Sequence, residues 1–524
     1  MPPRSNRKRC PIAEDRFAAQ DAAFAQGLCV TICTKGFGNV AGKHRKFSAS
    51  VALLALLSSC GGGGGGGAPP SAGPVAPPPT PSPPPPPVAC SLQDRQNWTL
   101  GQLQEWYLFP DLLATNVNPD SHSSVQSYID ALVAPARAQN KDRIFTYITP
   151  LAAHDAFNNA GASAGFGFRL STDTTAGRVF VAESYEGAPA LNANVDRGAE
   201  VLAIGTNASD LVPVGTIITA EGSTGVINAL GPNNAGVARL LRLRDPNGAT
   251  RDVTLTKATF NVDPVSDRYG ALILNDNGKK VGYINFRTFI GAPAEADLRA
   301  AFAQFKAQGV TEMIVDLRYN GGGLIATARL FSQLLMGNRS TSDVMTQVTF
   351  RASKSANNFN HFFGPQPESI AATKIAFIGT GSSASSSELV MNAALPYLGT
   401  NAALIGGNTF GKPVGQAYLN RPACDDRLIS LAFEFKNANG QGQYFNGLAA
   451  NFQSTCRADD DFLRQLGDPQ EGMIRTALDF LAGRPCTPIG GSATTQGATG
   501  APASPQLLTP AQPTAIQSDL PGSF

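Results

Sequence analysis

Apolar and polar positions along this chain follow two periods, and the order in which the periods appear sets out its plan. Between Trp98 and Leu108 apolar residues recur at helical spacing, and Ser124–Val133 repeats that spacing. From about residue 161 the pattern turns to strands. Val179-Phe180-Val181-Ala182 reads as one, Arg197–Gly205 as another through Val201-Leu202-Ala203-Ile204, and Leu240–Asp245 with Arg251–Thr256 predicts a hairpin about Pro246-Asn247-Gly248. The long stretch 206–237 is not placed in any element. From Lys280 onward strands and helices alternate. Lys280–Phe286 is a strand, and Leu298, Phe302 and Phe305 mark one face of a helix that Gly309 ends. Met313–Leu317 is a buried strand, followed by a helix with Leu324, Ala328, Phe331 and Leu335 on one face. Lys374–Ile378 is a further buried strand, leading through small residues into another helix. Asp468-Pro469-Gln470-Glu471 predicts a helix start, with a capping Asp, a proline in the first turn and a Glu three residues on; Gly483 stops it. Alternation of this kind argues an α/β domain over about 268–486.

The ends of the chain have a different character. Gly42–Lys46 is basic, Val51–Leu57 is apolar and Ser58-Ser59 is small, which is the layout of an export leader over 1–60. Leu57-Ser58-Ser59-Cys60 resembles a bacterial lipobox, which implies lipidation of Cys60 and a membrane partner. The basic run lies far from Met1, so the first ~40 residues read as an over-long start, with Val40 a candidate for the true one. Residues 61–89 are a stalk: Gly61–Gly67 is a flexible tether and the proline-rich run after it a stiffer spacer. After Cys486 the composition falls to Gly, Ala, Ser, Thr, Pro and Gln, and 487–524 is expected to be disordered.

Roughly 400 residues remain, enough for two or three domains. A net charge of +2 and 15% charged residues give no support to nucleic-acid binding. Cys90, Cys424, Cys456 and Cys486 predict two disulfides in an oxidising compartment, with three pairings open. The pairing expected is Cys424–Cys456, closing a local loop, with Cys90–Cys486 clipping the ends of the folded region. There is no CxxC and there are only four histidines, so a zinc site is not expected.

Candidate chemistry concentrates in Gly381–Gln416. Lys374–Ile378, a small-residue turn and a helix start make a usual place for a nucleophile, because helix N-terminal N–H groups stabilise a developing oxyanion. On local pattern alone, Ser385-x-x-Glu388 is also a capping box, and a lone lysine is usually solvated. The block S-A-S-S-S-E, followed by T-F-G-K-x-x-x-Q, resembles the C-terminal processing (tail-specific) serine peptidases. The resemblance implies Ser385 as nucleophile, Lys412 as base and Gln416 as its orienting partner. Three features depart from the family pattern: Ser386 for alanine, Pro413 for glycine, and a longer serine-to-lysine spacing. Asp316-Leu317-Arg318-Tyr319-Asn320-Gly321-Gly322-Gly323 is similar to the family's D-L-R-x-N-x-G-G, which implies backbone oxyanion donors at Gly321 or Gly322, paired with Ser386. Asp316 and Arg318 read as a structural pair.

Gly165-Phe166-Gly167-Phe168 resembles the carboxylate-binding loop of PDZ domains, with Glu186–Ala190 and Arg197–Gly205 resembling later PDZ landmarks. That implies a peptide-binding module over 161–258 taking protein tails as an added strand. The expected architecture is multidomain α/β: a helical segment at 90–160, the PDZ-like β module, and a peptidase domain at 268–486 with a ClpP/crotonase-like ββα core. The implied activity is a Ser-Lys endopeptidase of the bacterial periplasm, acting without metal or cofactor on unfolded or C-terminally recognised proteins. The departures at Pro413 and in spacing motivate the alternative of a non-catalytic peptide-binding lipoprotein. A Ser-His-Asp hydrolase is a poor competitor, since there is no G-x-S-x-G and His122, His154 and His361 lie in no motif.

Overall fold

The computed structural model describes residues 90–490 and 505–524. The leader with Cys60 and the stalk lie outside the described residues. The first helices are α1 (Leu92–Trp106), α2 (Val125–Leu132) and α3 (Ala134–Ala138). Ser91 caps α1 by accepting from the Asp94 N–H, and Ser124 with Ser127 forms a capping box for α2. Leu103, Tyr107, Tyr128, Ile129 and Leu132 meet in one buried cluster, which also takes in Val414, Leu428 and Leu431 from far along the chain. The 90–160 segment is therefore not wholly helical: β1 (Tyr147–Pro150) follows, pairs with a late strand, and leads into α4 (Leu151–Ala160).

The β-rich part comprises β2 (Ala162–Gly165), β3 (Phe168–Asp173), β4 (Arg178–Ser184), the short helix α5 (Pro189–Asn192), β5 (Glu200–Gly205), β6 (Val212–Pro213), α6 (Val214–Leu230), β7 (Ala238–Arg244), β8 (Thr250–Thr256) and β9 (Ala258–Asn261). Strands β3, β4, β5, β7 and β8 pair antiparallel in that order, and β7–β8 is the expected hairpin. Helix α6 fills the stretch without a readable pattern. Gly222 breaks it at φ 63° and ψ −155°, and its glycines and β-branched residues disfavour helix, which hid its period. Its buried face, Val214, Ile218, Val226 and Leu230, joins the core under β3–β5.

The remaining strands and helices are β10 (Ala271–Asp276), β11 (Lys279–Asn285), α7 (Pro293–Ala307), β12 (Glu312–Asp316), α8 (Ile325–Leu335), β13 (Val344–Phe350), β14 (Phe359–Phe362), β15 (Lys374–Gly379), α9 (Ser386–Leu398), β16 (Ala402–Gly406), β17 (Val414–Arg421), β18 (Asp426–Lys436), β19 (Ser454–Arg457) and α10 (Gly472–Leu481). Strands β11, β12, β15, β16 and β19 run parallel in one sheet, with β10 antiparallel at its edge. Such a sheet needs cover on both faces. Residues of α7, α8 and α9 share the largest core with β15, and α10 packs in the cluster of Ile314, Ala376 and Ile405 on the other face. A second, antiparallel sheet joins β1, β18, β13 and β14, with β17 also on β18. Among the described residues, no helix is long and apolar enough to cross a membrane.

Three further expectations are corrected. The disulfides are Cys90–Cys424 and Cys456–Cys486, with Cα–Cα distances of 5.6 and 5.4 Å, not Cys90–Cys486 and Cys424–Cys456. Cys90 precedes α1, which packs on β18 near the β17–β18 turn that carries Cys424, while Cys486 returns from α10 to the edge strand β19. Helix α10 begins at Gly472, not at Pro469. Glu471 is its cap, accepting from the Ile474 N–H at 3.0 Å, and Asp468 instead holds a turn through the Gln470 N–H. The carboxylate of Glu471 also meets Arg318 at 2.9 Å, and Arg318 meets Asp316 at 2.8 Å, all three fully buried, so that pair is structural. The segment 505–524 is ordered: β20 (Gln506–Leu507) pairs with β3, and α11 (Ala515–Asp519) follows. Its composition is low in apolar residues, yet Leu508, Leu520 and Phe524 are buried, and the edge of β3 offers backbone groups that need partners.

Candidate active site

Strand β15 is a buried apolar run in the middle of the parallel sheet, and its C-terminal end delivers Thr380–Ser385 to the start of α9. Ser385 sits at φ 55° and ψ −113°, a backbone conformation that costs a non-glycine residue about 1–3 kcal/mol and persists only where neighbours enforce it. The neighbouring serines do the enforcing. Ser383 Oγ donates to the Leu317 carbonyl at 2.7 Å, Ser386 Oγ to Gly323 at 2.7 Å and Ser387 Oγ to Asn320 at 2.9 Å. The Ala384 N–H donates to the Asn320 carbonyl at 3.1 Å. The serine cluster is thus stitched to the Asp316–Gly323 loop, leaving Ser385 at the head of the helix.

Glycines in that loop are there for space. Gly322 has φ 117°, and a Cβ on it would lie 2.7 Å from the Ser385 Cβ. The expectation for its N–H needs correction, because it donates to Asn320 Oδ1 at 2.8 Å and is spent within its own loop. The Gly321 N–H faces the cleft, where it donates to the Asp519 carbonyl at 3.1 Å. Ser386, the other expected donor, is the first residue of α9, where N–H groups lack intrahelical partners.

Lys412 arrives on the loop between β16 and β17. Its Nζ donates to Gln416 Oε1 at 3.0 Å and lies 5.1 Å from the centre of the Phe145 ring. Gln416 Nε2 in turn donates to the Phe145 carbonyl at 2.5 Å. Pro413 leaves this arrangement intact: it precedes β17, where no N–H is asked of it, and its carbonyl accepts from the Phe435 N–H at 2.9 Å. Ser385, Lys412, Gln416, Gly321, Phe145 and Asp519 line one cavity of about 100 Å³. Burial lowers the pKa of Lys412 from the ordinary lysine value, while the Asp519, Asp142 and Glu388 charges pull it back up.

Glu388 does more than cap a helix, and sequence reasoning missed it. Its fully buried carboxylate accepts from the Ser385 N–H at 3.0 Å, the Thr409 hydroxyl at 2.6 Å, the Gly411 N–H at 2.8 Å and the Lys412 N–H at 2.7 Å. One side chain therefore ties the serine turn to the lysine loop. Burial pushes its carboxyl up and these donors oppose that. Arg143 is a second residue without a sequence signal. It donates to the Phe445 carbonyl at 2.7 Å, to Gly411 at 3.3 Å and to Phe410, and its guanidinium stacks 4.1 Å from the Phe410 ring. What each does across a long separation in sequence leaves no local signal.

The expected peptide loop lies at the head of β3. Gly165 ends β2, Gly167 has φ 80°, and Phe166 and Phe168 are fully buried. The Gly167 N–H donates to the Phe524 main-chain oxygen at 2.9 Å. Among the described residues, no three His, Cys, Asp or Glu side chains converge as a metal site.

The strained serine at the strand-to-helix turn of the parallel sheet and the half-buried lysine therefore line the same cavity. Residues 280–444 match the model for Peptidase family S41. The chain is 25% identical over 276 residues to a carboxyl-terminal-processing protease of Picosynechococcus sp., covering 52% of this chain and 60% of that protein. It is 26% identical over 257 residues to carboxyl-terminal-processing peptidase 3, chloroplastic, of Arabidopsis thaliana, covering 47% and 45%. The chain thus spans about half the length of the curated relatives it matches. A solved structure, a putative S41 protease from Bacteroides fragilis, superposes with a TM-score of 0.57 at 20% identity, covering 74% of this chain and 97% of that one. That likeness is one of fold.

Proposed function

We propose that the chain is a serine endopeptidase of the bacterial periplasm, cutting unfolded or C-terminally recognised proteins with Ser385 as nucleophile and Lys412 as base. The observation that carries this is the shared cavity: Ser385 at its strained turn and Lys412, held by Gln416, line the same small space. A serine hydroxyl needs a base, and an amine serves once burial favours its neutral form. Lys412 takes the Ser385 proton as Oγ attacks the scissile carbonyl carbon. The Gly321 and Ser386 N–H groups receive the oxyanion. As the C–N bond breaks, Lys412 returns the proton to the leaving amine; water, activated the same way, then releases the acyl group and restores Ser385. The 161–258 module, read as PDZ-like, holds the substrate's tail, and the 268–486 domain is read as a ClpP/crotonase-like core. The leader and Cys60 place the protein on a membrane through a lipid anchor.

The names of the relatives and the match over 280–444 support this reading. The test is hydrolysis of an unfolded substrate such as β-casein. Wild type should cleave it, and Ser385→Ala and Lys412→Ala should each lose at least about a hundredfold in rate. Equal cleavage by all three removes the dyad. The second reading, a non-catalytic peptide-binding lipoprotein, draws on the occupied Gly321 N–H; it wins if nothing cleaves while tail peptides bind.

A further inference from the structure

The segment 505–524 makes two separate contacts with the same strand edge. Its first part lies along β3 through Gln506↔Thr172 and Leu507↔Ser171, and the Leu508 N–H donates to the Leu170 carbonyl at 2.8 Å. Its last part returns to that edge. The Leu170 N–H donates to Gly522 at 2.9 Å, the Phe524 N–H to Phe168 at 3.0 Å, and the Gly167 N–H to Phe524 at 2.9 Å. Between these contacts the chain leaves the sheet, forms α11 and enters the Ser385 cavity, where the Asp519 carbonyl takes the Gly321 N–H.

The side chains are as specifically held as the backbone. Phe524, 3% exposed, joins the core of Phe166, Phe168 and Leu170. Ser523 Oγ bonds the Tyr185 hydroxyl at 2.7 Å, and the fully buried Arg169 donates to the Pro521 carbonyl at 2.6 Å. Gly522 has φ 78°, and a Cβ on it would sit 3.2 Å from the Leu170 carbonyl oxygen, so glycine is the residue that fits there. In the cavity, Asp519 shares space with Lys412; burial pushes its carboxyl up to about 6 and the lysine charge draws it down.

We propose that the β3 edge and the Gly165–Phe168 loop form a groove for an extended peptide reading Gly–Ser–Phe, and that residues 505–524 are its resident ligand, closing both the groove and the Ser385 cleft until displaced. An edge strand accepts one added strand at a time, so a substrate tail and this segment compete for the same N–H and C=O groups. The carbonyl of Asp519 holds the donor that an oxyanion requires, so the cleft is blocked together with the groove.

For the rate measurement this rests on the peptidase reading, so a second arm is independent of catalysis. In the first, β-casein cleavage by the full chain is compared with a chain ending at residue 504 and with full-length Phe524→Asp, which places a charge in an apolar pocket. Both altered chains should cleave at least about tenfold faster, since a resident ligand lowers the fraction of open sites. A peptide with the sequence of residues 516–524 should inhibit the shortened chain. In the second arm, that peptide, labelled, is titrated by anisotropy into Ser385→Ala, full-length and ending at 504. It should bind the shortened chain and bind the full chain at least about tenfold more weakly. Equal binding to both, or no binding to the shortened chain, overturns the proposal whatever casein does. Excision of the segment by wild type but not by Ser385→Ala, seen by intact mass, also overturns it, because the segment would then be a substrate. Should binding behave as expected while no chain cleaves casein, the groove assignment stands and the peptidase reading falls.

Discussion

Glu388→Gln is the sharpest perturbation of this site. The carboxylate is fully buried, and its two oxygens receive four donors, Thr409 and Gly411 on Oε1, Ser385 and Lys412 on Oε2. Glutamine is nearly isosteric but supplies one carbonyl oxygen. Its NH2 must face one of the two donor pairs: toward Thr409 and Gly411 the hydroxyl can turn to accept but the Gly411 N–H is opposed, and toward Ser385 and Lys412 both N–H groups are. At least one hydrogen bond to a charged acceptor is lost, so stability should fall by at least about 1.5–3 kcal/mol. Activity should fall further than stability alone explains. The side chain fixes the serine turn relative to the lysine loop, and misplacement by an ångström can cost about a hundredfold. The measurements are urea unfolding followed by circular dichroism, with disulfides intact, and casein hydrolysis under conditions where the variant remains folded. An unfolding midpoint and a cleavage rate both equal to wild type would refute the linking role of Glu388.

Other consequences can be checked with less effort. On the proposed dyad, cleavage should rise with pH, because Lys412 could serve as a base only when neutral: activity is present above its pKa and lost as pH falls through it. Burial puts that midpoint below the ~10.4 of a free lysine. Gly322→Ala should abolish cleavage and destabilise by about 1–3 kcal/mol, because the new Cβ falls 2.7 Å from that of Ser385 at a φ of 117°; a fully active Ala variant would contradict the close approach. Non-reducing peptide mapping should recover Cys90 linked to Cys424 and Cys456 linked to Cys486, and a Cys424–Cys456 peptide would contradict the fold at both ends.

The legible parts of the sequence were those with a local cause. Met313–Leu317 and Lys374–Ile378 read as strands because residues buried on both faces leave continuous apolar runs. The strand-to-helix turn at Ser385 was legible because a buried apolar run leads through small residues to a capped helix. What escaped depends on distant partners. Glu388 looked like a cap since its second role needs a loop more than twenty residues on. Helix α6 was hidden by glycines at positions where its tertiary contacts override propensity. The disulfides followed packing of α1 and α10 that no spacing encodes. In 505–524 a polar, proline-bearing composition outweighed three apolar anchors, because disorder is judged by averages and docking is decided by a few buried side chains.

The turn at 142–146, within the 90–160 segment, is part of the site by the same logic. Phe145 covers Lys412 with its ring and fixes Gln416 through its carbonyl, while Arg143 holds the backbone of the lysine loop at Phe410 and Gly411. Asp142, fully buried, accepts from the Phe145 and Thr146 N–H groups at 3.1 Å each and so shapes the turn that presents both residues. A lysine is an effective base only while its amine is kept from water, and here the apolar wall and the orienting carbonyl come from one turn outside the 280–444 match. The serine half of the pair is set by the parallel sheet and its glycine loop; the lysine half is set by the docking of the N-terminal segment onto β17 and β18. Loosening that docking should therefore raise the Lys412 pKa toward its free value and weaken cleavage at neutral pH even with Ser385 and its turn unchanged.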